Sequence, residues 1–178
     1  MQRFSKIQIS LHWLTLLLII IAYISIEFRG LFEKNSAPYL LMRETHYNAG
    51  VLVWIIMLVR LGLRHILPDP PIVPTPPRWQ HLMARLMYLA LYLWFLAIPL
   101  LGVAMMAYGG KTWSFLGMTI APWVTPDPAT KSLLKEWHEV LANIGYALIG
   151  LHTAAALFHH YVIRDNALLL MMPHKKTR

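Results

Sequence analysis

Four long apolar runs limit what this chain can become: residues 7–28 (core LHWLTLLLIIIAYISI), 47–63, 82–107 and 137–163. A hydrocarbon layer about 30 Å thick takes about 20 residues of helix at about 1.5 Å each, and only helices or closed barrels cross it with every backbone group bonded. The expected fold is therefore all-α, an integral membrane four-helix up-and-down bundle that makes one domain of residues 1–178. Composition supports this where it matters. Of the 178 residues 57% are hydrophobic and 13% charged, against roughly 25% charged in soluble domains, which excludes an ordinary soluble enzyme. Ten Met and seven Trp likewise exclude a disordered chain. The stretch Trp113 to Val124 is apolar, but at 12 residues with an internal Gly and Pro it is too short to span and is expected to lie as an interfacial loop.

Charge separates by connection. With the N-terminus inside, the inner segments carry Arg3, Lys6, Arg60, Arg64, Arg78, Arg85, Arg164, Lys175, Lys176 and Arg178 against Asp69 and Asp165, while the outer segments hold six basic and six acidic residues. Ten basic residues against six place both termini in the cytoplasm. The net charge of +8 is then mostly membrane topology and does not point to nucleic acid. The first span follows a basic segment but lacks a small-residue cleavage site, so it reads as a retained anchor. The connection from His65 to Pro77 holds six of the twelve prolines and suits an extended strap. Trp13, Trp79, Trp113, Trp123 and Trp137 fall near the expected interfaces.

The polar groups inside the spans carry the chemistry. There is no Cys, so thiolate metal sites, iron–sulfur clusters and thioether-linked haem are excluded. In the fourth span His138, Gly145, His152 and His159 recur every seven residues. At 100° per residue His152 lies about 40° around and about 21 Å along the helix from His138, so one face carries imidazoles at two depths. The first span supplies His12 near its inner end and the second His46 at its outer end. An imidazole in a membrane is costly unless paired, and a bundle aims side chains from facing helices into its core. Topology pairs His46 with His138 and His12 with His152, although depth counted from Arg164 matches His159 to His12 better than it does His152. His65, His81 and His174 fall in the inner connections or the tail and read as surface residues.

Two neutral imidazoles on opposite sides of a plane suit a six-coordinate b-type haem and favour electron transfer. Two such pairs imply two non-covalent bis-His haems b. A tetrahedral zinc needs four ligands at one depth, which the sequence does not supply. Gly50 and Gly145 are expected to let a flat macrocycle approach a helix backbone. From a different class, a cofactor-free transporter or proton channel can use membrane histidines as a relay.

These features resemble the bacterial cytochrome b561 family of small dihaem, quinone-linked cytochromes, and within it the members described as superoxide oxidases. The resemblance rests on SKIQISLHW at 5–13, EFRG at 27–30, H-x-x-x-G at 46–50, L-x-x-WHE-x-LANIGY at 134–146, GLH-x-AAAL-x-HHY at 150–161, and DN-x-L at 165–168 before MMP at 171–173. It implies His12, His46, His138 and His152 as axial ligands to haem iron, which resolves the depth ambiguity in favour of His152. It also implies a bacterial inner-membrane location, superoxide as donor and ubiquinone as acceptor. Leu170 stands where the family pattern leads one to expect a basic residue. The nearest alternative within the resemblance is a cytochrome b subunit relaying electrons from a partner dehydrogenase or hydrogenase to quinone.

The local chemistry suits an anion on the outer side and a proton on the inner. Arg43, Lys111, Lys131 and Lys135 lie in the outer segments near His46 and His138, where one sign of charge concentrates a small anion. Lys135, one helical turn before His138, is the leading catalytic candidate. Inside, His159 lies just beyond His152, where an imidazole can bond a quinone carbonyl and relay a proton. His160, Lys6 and Ser10 are further quinone candidates.

Overall fold

The computed structural model describes residues 3–173; His174, Lys175, Lys176 and Arg178 lie outside them. Its four long helices are α1 (Lys6–Phe28), α2 (Ala37–Ile66), α3 (Arg78–Tyr108) and α4 (Pro128–Phe158). A two-stranded hairpin, β1 (Trp113–Phe115) with β2 (Met118–Ile120), joins α3 to α4, and a short α5 (Ala167–Met171) follows α4. All four long helices are long and apolar enough to cross a membrane. α1 packs mainly on α2 and α3 on α4, with α2 against α3 joining the two halves. Both ends of the described chain meet at one end of the bundle, where Phe4 N–H donates to the Leu170 carbonyl and Trp13 Nε1 to that of Met171. This is the termini end; the other is the hairpin end.

Local chemistry accounts for the helix boundaries. Ser5 and Gln8 form a capping box that starts α1, their side chains each bonding the other's backbone N–H. Helices α2 and α4 begin ten and nine residues before the apolar runs at 47–63 and 137–163. In both, a capping side chain (Ser36, Asp127) followed by Pro in the first turn starts the helix in polar sequence. The hydroxyl of Thr130 and the N–H groups of Ala129 and Thr130 bond the Asp127 carboxylate and hold its pKa below the usual range. The apolar pattern therefore marks the part of each helix that sits in lipid, and the helices continue beyond it.

The stretch 113–124, expected as a loop, contains the hairpin. Phe115 pairs with Met118 across a two-residue turn, Leu116–Gly117, with φ of 48° and 86°. Positive φ at both positions matches the twist of a tight hairpin, and glycine takes the more extreme value without strain. Asn48 on α2 clasps this hairpin, accepting from Leu116 N–H and donating to the Ser114 carbonyl.

The Pro-rich connection has no helix or strand between Leu67 and Pro77. It is tied to the end of α4 through Asn166, which exchanges bonds with Val73 and donates to the Pro71 carbonyl. Leu170, on α5, is 2% exposed, so the position where a basic residue is expected holds a buried apolar side chain.

The core is a thin layer at mid-height: Ile19, Val53, Met57 and Phe95, with Leu18, Tyr23, Leu91, Tyr92, Leu96 and Ile149 against it. Leu17, Ile20, Leu89, Leu93, Leu100 and Leu151 face outward instead, an apolar belt suited to lipid. Polar clasps cross between helices where apolar packing gives no preference over lipid. Trp94 Nε1 donates to the Leu141 carbonyl and the Tyr23 hydroxyl to that of Ala142.

The Tyr23 clasp explains Gly145. A Cβ there would stand 2.5 Å from the Tyr23 hydroxyl oxygen, so the space expected to admit a macrocycle is taken by Tyr23. Gly145→Ala is predicted to destabilise the protein by about 1–3 kcal/mol through overpacking, and by much less in a Tyr23→Phe background. Thermal unfolding in detergent reads both; equal costs in the two backgrounds would contradict this assignment.

Candidate haem sites

The helices bring the four predicted histidines together as two pairs. His46 on α2 faces His138 on α4 with ring centres 6.1 Å apart, and His12 on α1 faces His152 on α4 with centres 6.3 Å apart. An imidazole nitrogen bonds a first-row metal at about 2.0 Å and the ring centre lies about 1.1 Å behind it, so two rings sharing one metal have centres about 6.2 Å apart. Both pairs meet that spacing. No group of three or more His, Cys, Asp or Glu able to hold an ion occurs among the described residues. Two axial nitrogens and nothing else suit a metal that brings its own four equatorial ligands, as haem does.

The first pair is also correctly oriented. Nδ1 of His46 is 2.8 Å from the Ala22 carbonyl, and Nδ1 of His138 is 2.9 Å from that of Ile98. A carbonyl only accepts, so both Nδ1 atoms carry the proton and both Nε2 lone pairs are left for a metal. Ser25, 2% exposed, donates to the same Ala22 carbonyl and fixes it from the other side. Gly102 seats the His138 ring, since a Cβ there would lie 3.1 Å from Cε1. Gly50, one turn beyond His46, has no heavy atom within 4 Å of where a Cβ would stand, so a flat macrocycle can lie against α2 there. The second pair differs: Nδ1 of His12 is 3.1 Å from Nη2 of Arg60.

Beside His46 a pocket of about 210 Å³ is lined by Arg43, Glu44, Tyr47, Lys111 and Trp113 among others. The Tyr47 ring lies 6.1 Å from that of His46, and Arg43 Nε is buried with no hydrogen-bond partner among the described residues. Of the four basic candidates, Arg43 and Lys111 thus share the pocket. The chain of Lys131 packs over Gly109 at the end of α3. Lys135 is paired with Glu139 at 2.9 Å on an exposed face, a link worth about 0.3–0.5 kcal/mol that an incoming anion can displace.

At the termini end the last turn of α4 widens into a π-helix over His159–Ile163 and closes on Arg164 in the left-handed region. This brings His159 Nδ1 to Asp165 Oδ2, while Asp165 Oδ1 accepts from Ala167 N–H. The Asp165 side chain is fully buried and that of His159 is 23% exposed. His160 stacks edge-on against Tyr161, and Lys6 and Ser10 lie exposed on the first turns of α1.

Sequence reasoning missed Gly102, Arg60, Asp165 and the two carbonyl acceptors. Gly102 carried a signal, being a glycine inside an apolar span three residues after Pro99. The carbonyls carried none, because backbone acceptors have no residue type.

Paired imidazoles at two levels of a membrane bundle fit a b-type cytochrome, and comparison with known proteins supplies the class. The family model for prokaryotic cytochrome b561 matches residues 3–174, and the chain belongs to that family. Members bind b-type haem and transfer electrons in the membrane. Cytochrome b561 homolog 1 of Escherichia coli K12 is 58% identical over 176 residues, covering 99% of this chain and 100% of that one. A Yersinia pestis protein described as "Probable superoxide oxidase CybB" is 38% identical over 98% of both chains. Cytochrome b562 of Cereibacter sphaeroides is 31% identical over 95% of this chain and 94% of its own.

The ring pairing predicts that His152→Ala loses half of the wild-type haem, that His46→Ala loses the other half, and that the double variant retains none. Haem per protein from the pyridine haemochrome spectrum checks this; full haem content in either single variant would contradict it.

Proposed function

We propose that this protein is a dihaem superoxide:quinone oxidoreductase of the bacterial inner membrane, with His46 and His138 as ligands at the periplasmic end and His12 and His152 at the cytoplasmic end. The observation that carries the reading is the pair of facing imidazoles at each of two levels, with ring spacings that fit one iron each. The excess of basic residues at the termini end supports a cytoplasmic position for that end. The paired histidines at each level would hold a haem, which would supply a one-electron carrier there.

The chain's own groups handle the anion and the protons. Arg43 and Lys111 concentrate a small anion in the pocket beside His46, against a single carboxylate there, that of Glu44. Lys131 and Lys135 stand at the start of α4 among Asp127, Glu136 and Glu139, so they offer an anion local contacts rather than a net positive field. Superoxide gives up one electron and leaves as dioxygen, so two superoxides and two protons convert one ubiquinone to ubiquinol. The mid-height layer of Phe95, Val53, Met57 and Ile19 separates the two levels with packed side chains and keeps water and ions from following the electrons. At the cytoplasmic end Asp165 accepts from Nδ1 of His159, which leaves Nε2 to face the acceptor. When protonated, that Nε2–H can donate to a quinone carbonyl and pass its proton on as electrons arrive. His160, Lys6 and Ser10 lie at the same end and offer further polar contacts to the quinone head.

Mixing superoxide with the haem-loaded protein in a stopped-flow instrument tests this. Haem reduction is expected to outrun spontaneous dismutation and, with quinone present, to turn over. Arg43→Gln should slow the second-order rate roughly 10-fold at low salt and flatten its ionic-strength dependence, with the haem spectrum unchanged. Haem reduction no faster than dismutation in the wild type would overturn the proposal.

A further inference from the structure

Arg60 stands fourteen residues after His46 on α2, the interval that separates His138 from His152 on α4. It therefore lies on nearly the same helix face as His46, at the level of the second imidazole pair. Its contacts agree: Nη2 is 3.1 Å from His12 Nδ1, and Nη1 is 3.7 Å from Met57 Sδ. Neither balances a charge. A guanidinium stays ionised, and a part-buried cation in a membrane bundle calls for an anionic acceptor.

Among the described residues no free carboxylate stands beside Arg60. Of the eight acidic residues, Glu27, Glu33, Glu44, Asp127, Glu136 and Glu139 belong to the hairpin end. The remaining two are engaged, Asp69 with Arg64 at 3.4 Å and Asp165 with His159 and Ala167 N–H. The nitrogen that Arg60 does face is also a poor long-term partner. Guanidinium has donors only, so His12 Nδ1 must accept from it, whereas a histidine ligating through Nε2 keeps its proton on Nδ1. Two donors cannot share one line. When His12 ligates, Arg60 must aim at another acceptor within reach of the same ring.

Resting on the dihaem reading above, we propose that Arg60 binds a carboxylate of the haem held by His12 and His152. That haem's propionates are the anions such a site brings with it, and a guanidinium matches a carboxylate with two parallel hydrogen bonds. Where the Ala22 and Ile98 carbonyls fix the imidazoles of the first site, Arg60 anchors the haem itself at the second. Its charge also favours the reduced iron, because reduction places an electron near a fixed cation.

The test compares wild-type, Arg60→Gln and Arg60→Lys holoproteins by haem content, optical redox titration and haem release to apomyoglobin. Each is repeated in a His46→Ala background, which isolates the haem at His12 and His152. Arg60→Gln should lower the midpoint potential of that haem and speed its release at least 3-fold, with the other haem unmoved. Arg60→Lys should restore most of the potential but not the retention, since an ammonium keeps the charge and loses the fork. Unchanged potential and release in Arg60→Gln would overturn the assignment. Should Arg60→Gln not assemble, Arg60→Lys decides: faster release supports the contact and wild-type release overturns it. Loading the wild type with haem dimethyl ester, which lacks both carboxylates, should reproduce the fast release of Arg60→Gln; slow release of the ester would overturn a carboxylate contact. Failure of the parent reading looks different, as a wild type that carries other than two haems or a His12→Ala variant that keeps both.

Discussion

An imidazole inside an apolar bundle has two ring nitrogens to satisfy, and the arrangement of this protein follows from how each is satisfied. At the hairpin end His46 and His138 give their Nδ1 protons to backbone carbonyls on α1 and α3, which leaves their other nitrogens free with the ring centres 6.1 Å apart. That requires four helices at fixed rotations: α1 and α3 to offer Ala22 and Ile98, α2 and α4 to carry the rings. Apolar packing cannot set those rotations where lipid is as good a neighbour as leucine. The clasps from Trp94 and Tyr23 to carbonyls of α4 serve the same end, fixing α4 against α3 and α1 one turn from His138.

The two ends of the molecule are built differently. The hairpin end is assembled from groups close to the site: Asn48 holds the hairpin two residues after His46, Gly102 seats His138, and the Arg43 pocket opens one turn before His46. The termini end is assembled from segments far apart in the chain. Arg3, Phe4 and Trp13 bond the backbone around α5, and Asn166 ties the Pro-rich strap to the end of α4. Within that closure the Asp165 carboxylate is buried while the His159 side chain stays partly exposed.

Much of this was legible in the sequence. Charge-free length marked the spans, and the fourteen-residue interval between His138 and His152 placed both rings on one face of α4, where His46 and His12 meet them. Legibility ended where a contact depended on an atom without a residue type or on a partner far along the chain. The apolar runs begin after the starts of α2 and α4 because hydropathy marks lipid contact, whereas Ser36 and Asp127 cap the helices well before it. At Gly145 the group that approaches the backbone is the Tyr23 hydroxyl rather than the expected macrocycle, a contact that no periodicity on α4 can reveal. Arg60 was counted among the charges that set topology, although its interval from His46 repeats that of the histidines and places it beside His12. Asp165 reaches His159 only because the last turn of α4 widens to π geometry, a local change that a fixed 100° step does not anticipate.

The central claim is that the four histidines act as two independent bis-imidazole pairs. Low-temperature EPR of the oxidised protein, combined with haem content per chain, tests it most directly. The account predicts two haems per chain, both low-spin, with one low-spin signal vanishing in His152→Ala and the other in His46→Ala. A single haem, a high-spin signal in the intact protein, or loss of the same signal in both variants would contradict it.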